Sequence, residues 1–188
     1  MYHLRRFRTY RAVNFFAIVG IILSLWHFFV RYYHTHTVVV DHRLQHIHIV
    51  KGHPYLIDGD SISLQGVEMR LLGIDAPELH QNCDITGTAY PCGCEAKDHL
   101  QKLIAGQVVE CRWRKKDRYH RALAMCFVNK QSLNRQMVLD GWAVSFYLFP
   151  LEEQEARAAK RGIWATPFEI PKQWRKQHPF HKQKDNWQ

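Results

Sequence analysis

Two short segments hold residues whose types and spacing could do chemistry. Asp58-Gly-Asp60-Ser61 lies where a strand begins, and Arg70-Leu-Leu-Gly-Ile-Asp75-Ala76-Pro-Glu78 ends the next one. Carboxylates and an arginine therefore fall on adjacent strands. Carboxylate oxygens are hard ligands that suit Ca²⁺ or Mg²⁺. An arginine beside them suits a phosphate, because its planar fork binds pairs of oxygens. Glu78 has the chemistry to orient or deprotonate a water. A metal, a base and cationic clamps form the toolkit of phosphoryl transfer. One spacing works against the grouping. Arg70 and Asp75 are five positions apart, so a regular strand would aim them at opposite faces. Gly73 lies between them, and a strand glycine often marks a bulge or bend that re-aims the residues beyond it.

The elements that must position these residues can be read from periodicity. Residues 55–64 and 67–74 read as strands joined by a turn at Gln65 and Gly66. Residues 94–105 read as a helix with Ala96, Leu100, Leu103 and Ile104 on one face and Gly106 as its stop. Residues 108–114 and 122–128 read as a hairpin with a charged loop, Lys115-Lys-Asp-Arg118. Ser132 caps a short helix that ends at Gly141, residues 143–147 form a fifth strand, and residues 152–161 form a helix with Glu153 and Arg157 one turn apart. Five short strands with interposed helices suit a small Greek-key barrel, mainly β in an α+β sense.

The flanks differ from this core. The 188-residue chain carries a formal net charge of +9, which favours polyanionic partners, nucleic acid or an anionic membrane surface. Residues 1–11 are basic, with Arg5, Arg6, Arg8 and Arg11, and residues 12–30 are almost continuously apolar. That run is close to the ~20 residues a membrane-spanning helix needs. The arginines before it place the N-terminus in the cytoplasm and the rest outside. The residues after it are large rather than small, which favours an uncleaved single-pass anchor over a cleaved signal peptide. Cleavage would make the protein secreted. Residues 31–49 read as a His-rich linker containing His34, His36, His42, His46 and His48, more a polar stalk than a metal site. Residues 168–188 form a basic aromatic tail with Trp174 and Trp187. The five cysteines suit an oxidising compartment and leave at least one unpaired, and Cys92-Gly-Cys94 lacks the spacing of a zinc site.

The ordered set of segments resembles the thermonuclease, or staphylococcal nuclease-like, family. Asp58-Gly-Asp60 and Arg70-Leu-Leu-Gly-Ile-Asp75-Ala-Pro-Glu78 carry the resemblance first. Asp117-Arg118-Tyr119-His120-Arg121, Gly141-Trp142-Ala143 with Tyr147, and Glu155-Ala-Arg-Ala-Ala-Lys-Arg-Gly162-Ile-Trp164 carry it onward, over residues 50–167. The resemblance implies a five-stranded OB-fold barrel with about three packed helices. It also implies Ca²⁺-dependent cleavage of DNA and RNA that leaves 3′-phosphate ends, with Mg²⁺ or another divalent ion as a substitute. Carried over by position, Asp60, Asp75 and the Ala76 carbonyl hold the metal. Glu78 is the general base, Arg70 and Arg121 clamp the phosphate, and Arg118, Tyr119 and Tyr147 contact the nucleotide. His120 departs from the family, which usually has glycine there. The expected partners are nucleic acid as substrate and the membrane through the N-terminal helix, and no protein partner is implied. The alternative is an inactive barrel of the same fold that only binds nucleic acid.

With these segments placed, the cysteines sort themselves. Cys111 and Cys126 lie on the two hairpin strands beside the Arg118–Arg121 loop and are expected to pair. Cys83 is expected to pair with Cys92, closing the loop after Glu78 and leaving Cys94 odd.

Overall fold

The computed structural model describes residues 6–35, 46–85 and 87–179, with side chains of the first helix described for residues 17–31. The chain separates into two compact units, Met1–Leu44 and Gln45–Gln188. Among the described residues the first contains the helix α1 (Arg6–Thr35), whose described apolar side chains, Ile21, Leu25, Trp26 and Phe28 among them, are exposed. Among the described residues, no helix is long and apolar enough to cross a membrane. The side chains described there stop short of the expected span at its N-terminal end. The helix runs through His34, so the expected linker begins later than residue 31. His36 and His42 lie outside the described residues, as does Trp187 of the tail.

The second unit is built on a mixed, curled sheet. Its strands are β1 (His48–Gly52), β2 (Tyr55–Leu56), β3 (Ser61–Leu64), β4 (Val67–Leu71), β8 (Val109–Lys116) and β9 (Ala122–Val128), paired in the order β1-β8-β9-β4-β3-β2. A further short strand, β10 (Gln131–Ser132), joins β9. Neighbours are antiparallel except β4 and β9, which run parallel with Met69 opposite Ala122. The sheet curls so that β1 at one edge approaches β3 near the other: Gln65 Nε2 donates to the Lys51 carbonyl at 2.8 Å, and a Cβ on Gly52 would meet Leu64 Cδ1 at 3.2 Å. This curl is consistent with the expected OB-fold. Two ribbons sit apart from the main sheet, β5 (Ile74–Asp75) with β11 (Val144–Ser145) and β6 (Cys83–Ile85) with β7 (Thr88–Tyr90).

The five-strand expectation undercounts. The strand expected over residues 55–64 breaks in two because Asp58-Gly-Asp60 makes a turn, in which the Ile57 amide donates to the Ser61 carbonyl at 2.9 Å. β1 falls where a linker was expected, and His48 stacks on Trp113 with centroids 5.2 Å apart. β6 and β7 are three-residue strands, too short for alternation to reveal.

Strand alternation builds the core. Ala122, Ala124, Cys126 and Val128 of β9 point inward, and Ile62, Leu64, Met69 and Leu71 meet them. Helix α2 (Cys92–Ile104) lays Ala96, Leu100 and Ile104 on that core. It starts two residues earlier than expected and ends where Ala105 turns left-handed. Burying such aliphatic side chains stabilises by ~1.5–3 kcal/mol each. Helix α3 (Leu133–Leu139) starts as expected, with the Ser132 hydroxyl accepting from the Arg135 amide at 3.2 Å. Helix α4 (Pro150–Ala158) starts at Pro150, a residue suited to a first helical turn because that position needs no amide donor. A 3-10 turn (Gly162–Ala165) comes next, then α5 (Pro171–Gln177), a helix in the segment read as a tail.

Both expected disulfides are present. Cys83 and Cys92 tie β6 to the start of α2, and Cys111 and Cys126 face each other across the β8–β9 ladder. Cys94 is free and exposed.

Candidate active site

The floor of the site is fixed mainly by backbone. Ser61 pairs with Arg70 across β3 and β4, and the Leu71 amide donates to the Asp60 carbonyl at 2.7 Å. Asp60 is therefore held beside the arginine strand. Its Oδ1 accepts from the Ser61 hydroxyl at 2.9 Å, and its Oδ2 accepts from the Ala76 amide at 3.1 Å. The Asp60 amide donates in turn to Asp58 Oδ1 at 2.9 Å. Gly59 permits this closeness, because a Cβ there would come within 2.8 Å of the Ala76 Cβ and 2.9 Å of the Ala96 Cβ.

Arg70 and Asp75 point together. Gly73 takes φ of +83°, a left-handed conformation that L side chains rarely adopt, and the chain turns there into β5. Arg70 Nη2 then bridges the two expected metal carboxylates, reaching Asp60 Oδ2 at 2.8 Å and bonding Asp75 Oδ1. One cationic nitrogen thus brings Asp60 and Asp75 to a common point. Glu78 lies on the next turn, where the Gln81 amide donates to the Glu78 carbonyl at 2.7 Å. Helix α2 packs so tightly on that turn that a Cβ on Gly93 would stand 1.8 Å from the Glu78 carbonyl oxygen.

The second segment is the β8–β9 loop. Asp117 organises it. Asp117 Oδ1 accepts the Tyr119 amide at 2.8 Å and the Arg121 amide at 3.0 Å, and its Oδ2 accepts Arg121 Nη2 at 2.9 Å. His120 takes φ of +67°, so the turn keeps a glycine-like backbone without the glycine. Arg118 Nη2 donates to the Tyr119 hydroxyl at 2.7 Å and its guanidinium lies over the Tyr119 ring. Tyr147, itself at φ of +70°, projects into solvent with its ring edge-on to Phe146.

These segments meet in one open cleft of about 970 Å³. Arg70, Asp75, Glu78, Arg118, Tyr119, Arg121 and Tyr147 all line it, and so does Asp58. Asp60 and Ala76 lie buried beneath its floor. The sequence-predicted site residues are thus gathered at one place from β3–β5, the β8–β9 loop and the segment after β11. Residues 68–166 match the family described as Staphylococcal nuclease homologue.

The chain belongs to that family.

Relatives of this staphylococcal nuclease homologue agree with the match. An uncharacterized endonuclease of Haemophilus influenzae is 33% identical over 137 residues, covering 66% of this chain and 71% of its own length. A micrococcal nuclease of Shigella flexneri is 31% identical over 143 residues, 64% of this chain and 77% of its own. A succinoglycan biosynthesis protein, ExoI, of Rhizobium meliloti is 33% identical over 121 residues, and the match spans 63% of that protein's length.

The nuclease-homologue match stops before α5, yet α5 reaches the centre of the site. Arg175 Nη1 contacts Asp75 Oδ1 at 2.9 Å and Glu78 Oε1 at 2.6 Å, and Nη2 contacts Asp75 Oδ2 at 3.0 Å. Lys172, Lys176 and His178 line the same cleft. Gln81, fully buried, connects the tail to the floor: its Nε2 donates to the Glu169 carbonyl at 2.6 Å and its Oε1 accepts the Glu78 amide at 3.2 Å. Sequence reading passed over both Arg175 and Gln81. The only signal for α5 was its composition, basic and aromatic with a proline at the start.

The electrostatics reflect this crowding. Desolvation pushes the Asp58 carboxyl up to about 7, and the neighbouring Asp60 carboxylate adds to the push. Burial opposes the charge on Arg70, but Asp60 and Asp75 outweigh it and hold the guanidinium above its ordinary value. Burial likewise opposes the charge on Asp117, and the hydrogen bonds from Arg121 and Tyr119 outweigh that and hold it low. Burial works against Arg175 too, and Asp75 and Glu78 more than offset it.

The donor set suits a hard divalent ion. Asp60 and Asp75 already share one cationic partner, and the Ala76 peptide lies against Asp60. Among the described residues, no group of three or more His, Cys, Asp and Glu side chains is gathered as a metal cage. A site of two carboxylates and a carbonyl would leave most of the six to eight positions around Ca²⁺ to water and substrate oxygens.

Proposed function

We propose that this protein is a divalent-cation-dependent nuclease that hydrolyses phosphodiester bonds of DNA and RNA and leaves 3′-phosphate ends. Membership of the nuclease family and relatives named as endonucleases support nucleic-acid hydrolysis. The observation that carries the finer reading is the bridge from Arg70 to Asp60 and Asp75, formed in a cleft that Glu78 and Arg121 also line. Asp60, Asp75 and the Ala76 carbonyl would hold Ca²⁺, with Mg²⁺ or another divalent ion as a substitute. The bound ion would supply Lewis-acid polarisation of a phosphoryl oxygen.

The chain's own residues have the remaining roles. Glu78 orients a water and takes its proton as the oxygen attacks phosphorus, while the bond from phosphorus to the 5′ oxygen breaks and that oxygen leaves with a proton from solvent. Arg70 and Arg121 donate to the equatorial oxygens, whose negative charge grows in the transition state. Asp117 positions Arg121 with both its backbone and side-chain hydrogen bonds. Tyr119 and Tyr147 offer exposed rings on which a base stacks, and Arg118 a phosphate contact. The test is cleavage of single-stranded DNA, duplex DNA and RNA by the purified protein with Ca²⁺, Mg²⁺ or EDTA. Product ends that resist polymerase extension until treated with phosphatase identify 3′-phosphates. Binding without cleavage under every condition would instead make this a nucleic-acid-binding barrel.

The reading includes an envelope location: one N-terminal membrane anchor, a cytoplasmic N-terminus and the nuclease unit outside, or secretion if the anchor is cleaved. Its supports are the arginines that precede residues 12–30, the exposed apolar side chains of α1 and the two disulfides. Retention in the membrane pellet after alkaline extraction is the expected result. Release into the soluble fraction as the intact chain would remove the anchor.

A further inference from the structure

We propose that Arg175 competes with the divalent cation for Asp75 and so sets the ion concentration at which the site loads. This inference rests on the metal-dependent reading above and adds a residue outside the family match. The guanidinium grips both oxygens of Asp75, at 2.9 and 3.0 Å, and the Glu78 carboxylate at 2.6 Å. Arg70 also bonds Asp75 Oδ1. Two oxygens offer about four lone-pair positions, and three are engaged by guanidinium nitrogens. One position is left, and a cation that takes it comes up against two guanidinium charges, so cation and arginine compete for Asp75.

Charge asks that one guanidinium leave, and placement selects Arg175. Asp60, Asp75 and Glu78 bring three formal negative charges, and Arg70 offsets one of them. Arg175 offsets a second, leaving less charge than a divalent ion needs; its departure restores the match. Arg70 lies in β4, paired on both sides and 21% exposed at its side chain, whereas the Arg175 side chain is 37% exposed. Helix α5 does not depend on the ion pair for its seat. Pro171 and Trp174 are buried, and Gln81 holds the Glu169 carbonyl at its approach. The side chain can therefore swing outward while the helix stays docked.

The size of the effect depends on the population of the open arrangement. If Arg175 sits on Asp75 about nine-tenths of the time, the apparent ion affinity is weakened about tenfold. The experiment is a calorimetric Ca²⁺ titration of the full-length protein and of Arg175→Ala, with cleavage measured across the same Ca²⁺ range. The expected result is tighter Ca²⁺ binding by about tenfold and half-maximal cleavage at correspondingly lower Ca²⁺. Should Arg175→Ala lose its fold by circular dichroism, Arg175→Met keeps the aliphatic stem and is expected to give the same shift. Unchanged or weaker binding overturns the proposal, and slower cleavage at saturating Ca²⁺ with unchanged binding would make Arg175 a substrate clamp instead. Ca²⁺ binding by neither protein would sink the metal site and this inference together.

Discussion

The two halves of the cleft are constructed in opposite ways. The carboxylate floor from Asp58 to Glu78 is buried at Asp60 and Asp75 and mostly backbone-fixed, with strand register, a glycine bend and the packing of α2 each leaving little freedom. The arginine loop from Asp117 to Arg121 is largely exposed and is gathered by one residue, Asp117, through its carboxylate and its backbone. Its anchor is a disulfide further down the same ladder, Cys111–Cys126. The difference shows how one site divides its tasks. The part that must hold close, mutually repelling carboxylates is rigid, and the part that must admit a polymer is tethered at its base and open at its tip.

The sharpest way to break this comparison is to remove one cation from each half. Arg70→Ala and Arg121→Ala are each expected to lower kcat by about 10³–10⁵, the range for an arginine that acts on a transferring phosphoryl group. Glu78→Gln is expected to lower it by about 10²–10⁴. Single-turnover cleavage rates decide it, and full activity in Arg121→Ala would detach the loop from the site. The next test probes the floor alone. The Asp58 carboxyl is raised to about 7 from an unfolded value of 3.8, so its folded form favours the proton. That contribution to stability is complete below the unfolded value and is lost as pH rises through about 7. In EDTA, Asp58→Asn should therefore gain in Tm over the unsubstituted protein as pH rises from about 4 to 7. The gain is at most about 4 kcal/mol, at 1.36 kcal/mol per pH unit of difference. A Tm difference that does not change with pH would contradict it.

The loop's anchor comes third. Replacing Cys111 and Cys126 by serine should cost up to ~3 kcal/mol for a closed loop of this length in the chain-entropy picture. Denaturant melts under oxidising conditions measure it, and an unchanged midpoint would show that the ladder alone holds the hairpin. The smallest effect is at His120. A left-handed residue with a Cβ is strained by ~1–2 kcal/mol, offset in part by the extra chain entropy of glycine. His120→Gly is thus expected to stabilise by less than about 1 kcal/mol in the same melts, and clear destabilisation would mean that the imidazole has contacts of its own.

Much of the site was legible because its chemistry is concentrated in short segments. Asp60, Arg70, Asp75 and Glu78 could be named from residue type and order, and Arg118, Tyr119 and Arg121 from the family resemblance that a second ordered segment carries. The hairpin, the capped helix at Ser132 and the Cys111–Cys126 pairing could be read from alternation, capping and facing positions, and the Cys83–Cys92 pairing from the loop it closes. What escaped was set by tertiary contact. The bend at Gly73 could be expected from the glycine, but its left-handed φ of +83° could not. Gln81 looked like an ordinary loop glutamine, and its value lies in touching Glu78 and Glu169 at once, residues far apart in the chain. Arg175 sat in a segment with basic side chains and no period, where nothing local distinguishes a charge that reaches the floor from one that faces water.

The disulfides have a consequence for how the molecule meets a reductant. Cys111, Cys126 and Cys92 are fully buried and Cys83 is nearly so. A small thiol reaches either bond only when the surrounding structure opens. One bond lies inside a ladder whose β9 strand has seven residues, and the other closes a ribbon of three-residue strands beside the Glu78 turn. Reduction should therefore proceed in two stages, the ribbon first. The interval between them would time two separate openings of the fold, one under Glu78 and one under the loop that carries Arg121.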